Sequence, residues 1–246
     1  MIVFAHVSDI YIGGNDRNTG RTARIMGYLN SLSKPLDAVL VTGDITHNGL
    51  PEEYKTARDL LASPLPVLTC PGNHDERAAY RTVFLGQNAE DGPVNQVRRV
   101  GDVVFALCDS SVPGRYEGAL SDETLAWLAK VLAETPRDVP VLICLHHPPV
   151  PLHSPELDAM RLVDEERLAE LIRVQLHVAA ILCGHAHTAA ASTFAGRPVR
   201  VAPSAASTLR LPWEHGDLFD RAAPPTIAFH VLDDEARLTT HYRVIA

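Results

Sequence analysis

No apolar run in this 246-residue sequence approaches the roughly 20 residues that a membrane-spanning helix needs. The longest, such as residues 139–145, are strand-length, so no membrane span is expected. Cysteine is scarce: Cys70, Cys108, Cys144 and Cys183 are all there are, and none forms a Cys-x-x-Cys pair. They read as small buried hydrophobes of a reduced, cytoplasmic protein. Positive charge is also in deficit, with 22 Lys and Arg against 30 Asp and Glu, a net charge of −8 with His neutral. Proteins that hold nucleic acid by charge are normally basic, so a long nucleic acid partner is not expected. A small phosphorylated partner stays open, because a bound metal supplies positive charge that a residue count misses. The sequence has no repeat and no low-complexity tract. Its first residues, Met1-Ile2-Val3-Phe4-Ala5-His6, lack the basic flank of a signal peptide and read as a first strand. What is present is ordinary globular composition, 46% apolar and 21% charged, which excludes a disordered tail, a coiled coil and a collagen-like chain. Twelve histidines are the compositional oddity.

Short apolar runs at 2–7, 38–41, 66–68, 103–107, 139–145 and 178–182 predict buried strands. Helices are predicted between them at 19–32, 51–62, 121–133 and 164–174. Pro51 followed by Glu52 and Glu53 is a helix start, and Ser121 or Asp122 is an N-cap. The last quarter predicts strands at 189–194, 199–202, 226–232 and 237–244, with Gly196-Arg197 as a hairpin tip and 211–225 as a loop. Alternation of this kind predicts a layered α/β fold of two stacked sheets flanked by helices, as a single domain over residues 1–246.

Polar residues recur directly after five of these runs: Ser8-Asp9-Ile10-Tyr11, Gly43-Asp44-Ile45-Thr46-His47, Gly72-Asn73-His74-Asp75, His146-His147-Pro148-Pro149 and Gly184-His185-Ala186-His187. Loops beyond strand carboxyl ends form the ligand crevice of α/β sheets, so the five are expected to converge. Asp, Asn and His are oxygen and nitrogen donors that suit Mn, Fe or Zn better than soft-metal sites do. Gly43, Gly72 and Gly184 precede ligand candidates and permit sharp turns or close approach. His185 and His187, two apart, project to one side if their segment is extended. Any one of these loops, alone, is an ordinary turn; five in order are not.

The ordered set resembles that of the calcineurin-like metallophosphoesterases, whose pattern runs D-x-H, G-D, G-N-H-[DE], a His, and G-H-x-H. Within them it resembles the class III cyclic-nucleotide phosphodiesterases and related glycerophosphodiesterases, through Gly43-Asp44-Ile45, Pro51-Glu52-Glu53-Tyr54, Gly72-Asn73-His74-Asp75, Asp109-Ser110-Ser111, Leu145-His146-His147-Pro148-Pro149 and Cys183-Gly184-His185-Ala186-His187. The resemblance implies a layered β-sandwich of two mixed sheets flanked by helices. It also implies two divalent or mixed-valent transition-metal ions, Mn, Fe or Zn. Asp9 and His187 would hold the first ion, Asn73, His146 and His185 the second, and Asp44 would bridge. His74 would be catalytic, helping with the phosphate or leaving group and binding no metal. The implied reaction is hydrolysis of a small phosphodiester, of cyclic nucleotide or glycerophosphodiester type, by a metal-bound hydroxide. A phosphomonoesterase, or a binding module weakened in catalysis, is the alternative; a homo-oligomer stays open.

One position departs from the pattern: D-x-H is Asp9-Ile10-Tyr11 here. Tyr11 either fills space beside a weak first metal, or ligates as phenolate, or marks a degraded site. Phenol has a pKa of about 10 and needs a strong Lewis acid such as ferric iron to ligate at neutral pH. His47 and Asp75 are candidates to support the ligands or face substrate, Asp75 by orienting His74 or capping the next helix. His215 is a candidate from the long loop, which could overhang the site.

Overall fold

Strand β1 turns Ile2 and Phe4 to one side and Ala5 and Val7 to the other, the period-two pattern of a strand buried on both faces. The computed structural model describes residues 1–246. In chain order its elements are β1 (Ile2–Val7), α1 (Asp16–Asn30), β2 (Ala38–Thr42), α2 (Pro51–Leu60), β3 (Val67–Cys70) and α3 (Arg77–Ala79), which runs into a π-helical turn (Tyr80–Phe84). There follow β4 (Gln96–Val100), β5 (Val103–Leu107), α4 (Asp122–Glu134), β6 (Val141–Cys144), α5 (Pro155–Asp158), α6 (Glu165–Arg173), β7 (Val178–Cys183), β8 (Ala190–Phe194) and β9 (Arg197–Val201). The chain ends with β10 (Thr208–Leu209), β11 (Phe219–Asp220), β12 (Thr226–Leu232) and β13 (Leu238–Val244).

Two mixed sheets stack, in the orders β13-β12-β1-β2-β3 and β4-β5-β6-β7-β9-β8. Strands β1, β2 and β3 are parallel, as are β5, β6, β7 and β9; the outer strands run antiparallel. Between the sheets lie Phe4, Leu40 and Leu68 from one and Phe105, Leu107, Leu142 and Leu182 from the other. The outer face of the first sheet packs on Ile25, Met26 and Leu29 of α1 and Tyr54 and Ala57 of α2; that of the second packs on Leu128 and Leu132 of α4 and Leu168 and Ile172 of α6. Each Leu, Ile, Phe or Met side chain among them, fully buried, contributes about 1.5–3 kcal/mol. All four cysteines are buried and none is bridged.

The structure moves several predicted boundaries. Helix α1 starts at Asp16 rather than 19, because Asn15 caps it by accepting the Asn18 N–H. The hairpin tip after β8 is Ala195-Gly196, not Gly196-Arg197: Phe194 pairs with Arg197, and both tip residues have positive φ, as a two-residue hairpin turn requires. Residues 211–225 are not wholly loop, since Phe219 and Asp220 pair with Leu209 and Thr208. Strand β4 was not expected; its central Val97, Arg98 and Arg99 are exposed at a sheet edge, so it lacks an apolar run.

Candidate metal centre

Strands β1, β2, β3, β6 and β7 all deliver their carboxyl ends to one edge of the sandwich. Asp9 N–H donates to Gly43 O at 3.2 Å and Gly184 N–H to His146 O at 3.0 Å within the two sheets, and the Ser8–Ser204 bridge and the His185 N–H, which donates to Asp9 Oδ2 at 3.1 Å, tie the sheets together there. Glycine is needed at Gly43, whose φ is +82° and whose added Cβ would lie 2.5 Å from His146 Nδ1. At Gly184 the reason is contact alone: a Cβ would lie 1.8 Å from Ser8 Oγ. Nine non-glycine residues have positive φ, and five are Asp9, Tyr11, Asp44, His185 and His187. Such conformations cost about 1–3 kcal/mol each and cluster where function fixes them.

Those residues form one cluster. His146 Nε2 lies 3.4 Å from Asp44 Oδ2 and 4.0 Å from Asp9 Oδ1; His187 Nε2 lies 3.5 Å from Asp9 Oδ1; and His185 Nδ1 lies 3.2 Å from His146 Nε2. The imidazoles are aimed from behind. His146 Nδ1 donates to Thr42 O at 2.7 Å, and His187 Nδ1 pairs with Ser207 Oγ at 3.1 Å, which leaves both Nε2 atoms facing the carboxylates. His185 and His187 do not sit in an extended segment. Both are left-handed, and this splits them: His185 joins His146, and His187 joins Asp9 and Tyr11. His147, although near His146 and His185, uses both ring nitrogens on Ser110 Oγ and Tyr116 O and has none to spare.

Tyr11 lies inside the cluster. Its hydroxyl donates to Asp44 Oδ2 at 2.6 Å and is 3.1 Å from His187 Nε2. Burial, with Asp44 and Asp9 beside it, pushes its pKa well above that of free phenol. Burial alone would raise the Asp44 carboxyl, but His146 reverses this and holds it well below the usual range. The same burial lowers His146, but Asp44 and Asp9 outweigh it and lift its pKa to about 9. His185 goes the other way, down to about 3, through burial and the nearby His146.

His74 stands over the cluster rather than in it. Its N–H donates to Asp44 Oδ1 at 3.0 Å, its Nδ1 pairs with His47 O at 2.8 Å, and its ring meets that of Tyr11 edge-on at 4.9 Å. His47 stacks on His74 at 5.5 Å. Asp75 neither orients His74 nor caps the next helix. Its carboxylate accepts from Gly72 N–H, Ile45 N–H, Thr46 N–H and Oγ1, and Tyr54 Oη, clamping the β2 loop to the β3 loop, while Glu76 caps α3. Burial and Asp44 raise its pKa to about 6. His215 is exposed and does not line the cavity beside the site; its loop contributes Phe219 and Arg221 instead. Glu53 explains the Pro-Glu-Glu-Tyr stretch: its carboxylate accepts from Asn48 and Leu50 and shapes the turn after His47. Arg21 was missed by sequence reasoning. Its buried guanidinium donates to the carbonyls of Ala205, Ala206, Arg221 and Ala223, contacts that span some 200 residues of chain.

Three ligand-type atoms on three different loops, Asp9 Oδ1, Asn73 Oδ1 and His185 Nε2, are buried without a hydrogen-bond partner. Leaving a buried polar atom unpaired costs about 1–3 kcal/mol, and cations answer that deficit. The donor set is oxygen and imidazole nitrogen, which fits divalent transition metals.

A two-sheet sandwich with carboxylate, amide and imidazole donors gathered at one strand edge is the architecture of a metal-dependent phosphoesterase. The chain belongs to the calcineurin-like phosphoesterase family, whose family model matches residues 2–189. It is similar to a probable cyclic nucleotide phosphodiesterase of Rhodococcus erythropolis (strain PR4 / NBRC 100887), 36% identical over 223 residues that cover 86% of this chain and 73% of that one. It is also similar to the glycerophosphodiester phosphodiesterase GpdQ of Enterobacter lignolyticus (strain SCF1), 32% identical over 244 residues that cover 93% and 86%. In fold it matches a dimetal phosphatase from Danio rerio with a TM-score of 0.73 at 15% identity, over 100% of this chain and 96% of that one. No helix is long and apolar enough to cross a membrane.

Proposed function

We propose that this chain, acting as one domain over residues 1–246, hydrolyses small phosphodiesters of cyclic nucleotide or glycerophosphodiester type at a two-metal site. The observation that carries the reading is the cluster of Asp9, Asp44, His146, His185 and His187, in which Asp9 Oδ1 and His185 Nε2 are buried without a partner, as is Asn73 Oδ1 on the β3 loop next to His74, whose N–H meets Asp44. The named activities of the relatives from Rhodococcus erythropolis and Enterobacter lignolyticus support the substrate class. Asp9 and His187 would hold one ion, Asn73, His146 and His185 the other, and Asp44 would contribute to both; the ions would be drawn from Mn, Fe and Zn. When bound, such a pair polarises phosphoryl oxygens and lowers the pKa of water.

The chain's own residues do the rest. The N–H of His74 fixes Asp44 Oδ1, and the His74 ring is held through Nδ1 by His47 O, which leaves Nε2 as the atom that faces substrate. From there, with the ring doubly protonated so that Nε2 also carries a proton, it protonates or stabilises the leaving oxygen. Tyr11 Oη orients Asp44 through its other oxygen. The test is hydrolysis of bis(4-nitrophenyl) phosphate by protein stripped with chelator and reloaded with Mn, Fe or Zn. Metal-dependent turnover is expected, and His74→Ala should keep the metals while losing about 10²- to 10⁴-fold in kcat. Turnover of phosphomonoesters only would contradict the diester reading, and loss of metal from His74→Ala would make His74 a ligand.

A further inference from the structure

Beside the cluster is a cavity of about 340 Å³ that shares Tyr11, His74 and His187 with it. Asn15, Arg17, Asn18, His47, Phe219 and Arg221 also line it, and none of its lining residues is acidic. Arg17 and Arg221 are exposed and line the cavity, and neither forms a salt bridge; the Asp220 carboxylate feels the Arg17 charge but is paired with Arg210. The acid next to Arg221 is already engaged: Asp220 Oδ2 takes Arg210 at 2.6 Å, and Oδ1 accepts the N–H groups of Ala222 and Ala223. Two unpaired arginines beside the site are unexpected in a chain of net charge −8.

Arg21 fixes where these two residues stand. It lies one helical turn after Arg17 on α1, so the two share a helix face. Its guanidinium holds the carbonyls of Arg221 and Ala223, so the segment bearing Arg221 is fastened to the helix bearing Arg17. It also holds the carbonyls of Ala205 and Ala206, just before Ser207, which lines the cavity and supports His187. Phe219 is set by the β10–β11 pairing, edge-on to His187 at 5.2 Å, and gives the cavity an apolar wall.

A phosphodiester carries one negative charge, and in the function proposed above the metals meet it. Two further guanidiniums, planar forks suited to carboxylate and phosphate oxygens, then have no counterpart on a simple diester. We infer that Arg17 and Arg221 form a subsite for a second anionic group, a carboxylate or a phosphate, on one arm of the phosphodiester substrate. The inference rests on the function proposed above, since it names the substrate of that same site.

The test measures dissociation constants directly, by calorimetry on the full chain loaded with Mn. Glycerol 3-phosphate and 3-phosphoglycerate differ by a hydroxymethyl against a carboxylate. The second should bind at least about tenfold more tightly, the effect of one charge-assisted contact. Propane-1,3-diol bisphosphate places a phosphate on the same arm and shows which anion the pair prefers; either preference over glycerol 3-phosphate supports the inference. R17Q and R221Q should each shrink the ratio, and the double variant should bring it near one. R17K and R221K, which keep the charge without the fork, should retain part of it and check that folding is intact. Equal binding by the wild-type chain, or a preference that survives the double variant, would overturn the subsite, the latter placing the carboxylate on the metals. Turnover of bis(4-nitrophenyl) phosphate is followed in parallel. Its absence with every metal would contradict the phosphodiesterase reading, whatever the binding ratio.

Discussion

Tyr11 stands where the family pattern has a ligand histidine, and its hydroxyl is spent on Asp44 Oδ2. Under the function proposed above, a neutral phenol that donates into Asp44 both withholds an imidazole and engages an oxygen that the ions would need. Tyr11→His should therefore tighten Mn or Zn binding, by about tenfold or more, read by calorimetry on chelator-stripped protein. Unchanged affinity would show that position 11 does not limit the first ion. Other residues divide by how local their role is. Asp9, Asp44, His146, His185 and His187 could be picked out from sequence as residues that come together, because each lies just past a buried strand and the fold brings strand ends together. Arg21 could not, since its partners at Ala205 and Ala223 are set by tertiary packing and leave no mark near position 21.

The parallel strands were legible as elements because they are short, apolar and buried on both faces, as in Ala38–Thr42 and Val141–Cys144. Their charged or very short neighbours were not. Gln96–Val100 carries two exposed arginines, and Thr208–Leu209 and Phe219–Asp220 are two residues each, too short to show a period. What joins the elements at the site is Asp75. It gathers three backbone N–H groups and two hydroxyls from the β2 loop, the β3 loop and α2. Asp75→Ala strands several of these donors together, so a loss of about 3 kcal/mol or more is expected in urea unfolding of the metal-free protein. Asp75→Asn, which keeps one acceptor, should lose less. A near-neutral Asp75→Ala would mean that the two loops hold their shape without the clamp.

Across the whole molecule, the two sheets share one interior, and a polar chain runs across four strands of the first sheet, β2, β1, β12 and β13. His6 pairs with His230 at 3.1 Å and with Thr42 Oγ1 at 2.8 Å, and His230 reaches Thr240 Oγ1 at 2.9 Å. Burial lowers both histidines, His230 to about 3 with Arg200 adding to the shift, and His6 well below its usual value. Unfolded imidazole takes a proton near pH 6.5, while these do not until far lower, so protons favour the unfolded chain. Stability from this pair is complete above about pH 6.5 and falls as pH drops toward 3. His230→Leu should flatten the decline between pH 6.5 and 5 by up to about 1.4 kcal/mol per pH unit, measured by urea unfolding in chelator. An identical slope would mean that the pair titrates normally in the folded protein.

Asp44 is the residue on which the two-metal account turns, because it touches His146, Tyr11 and the His74 N–H at once. The direct measurement is the metal content of the purified full chain by elemental analysis, beside that of Asp44→Ala, after loading with Mn or Zn. The account predicts two ions per wild-type chain and a loss from both positions in the variant. An Asp44→Ala protein that still holds two ions and hydrolyses diesters at the wild-type rate would contradict it.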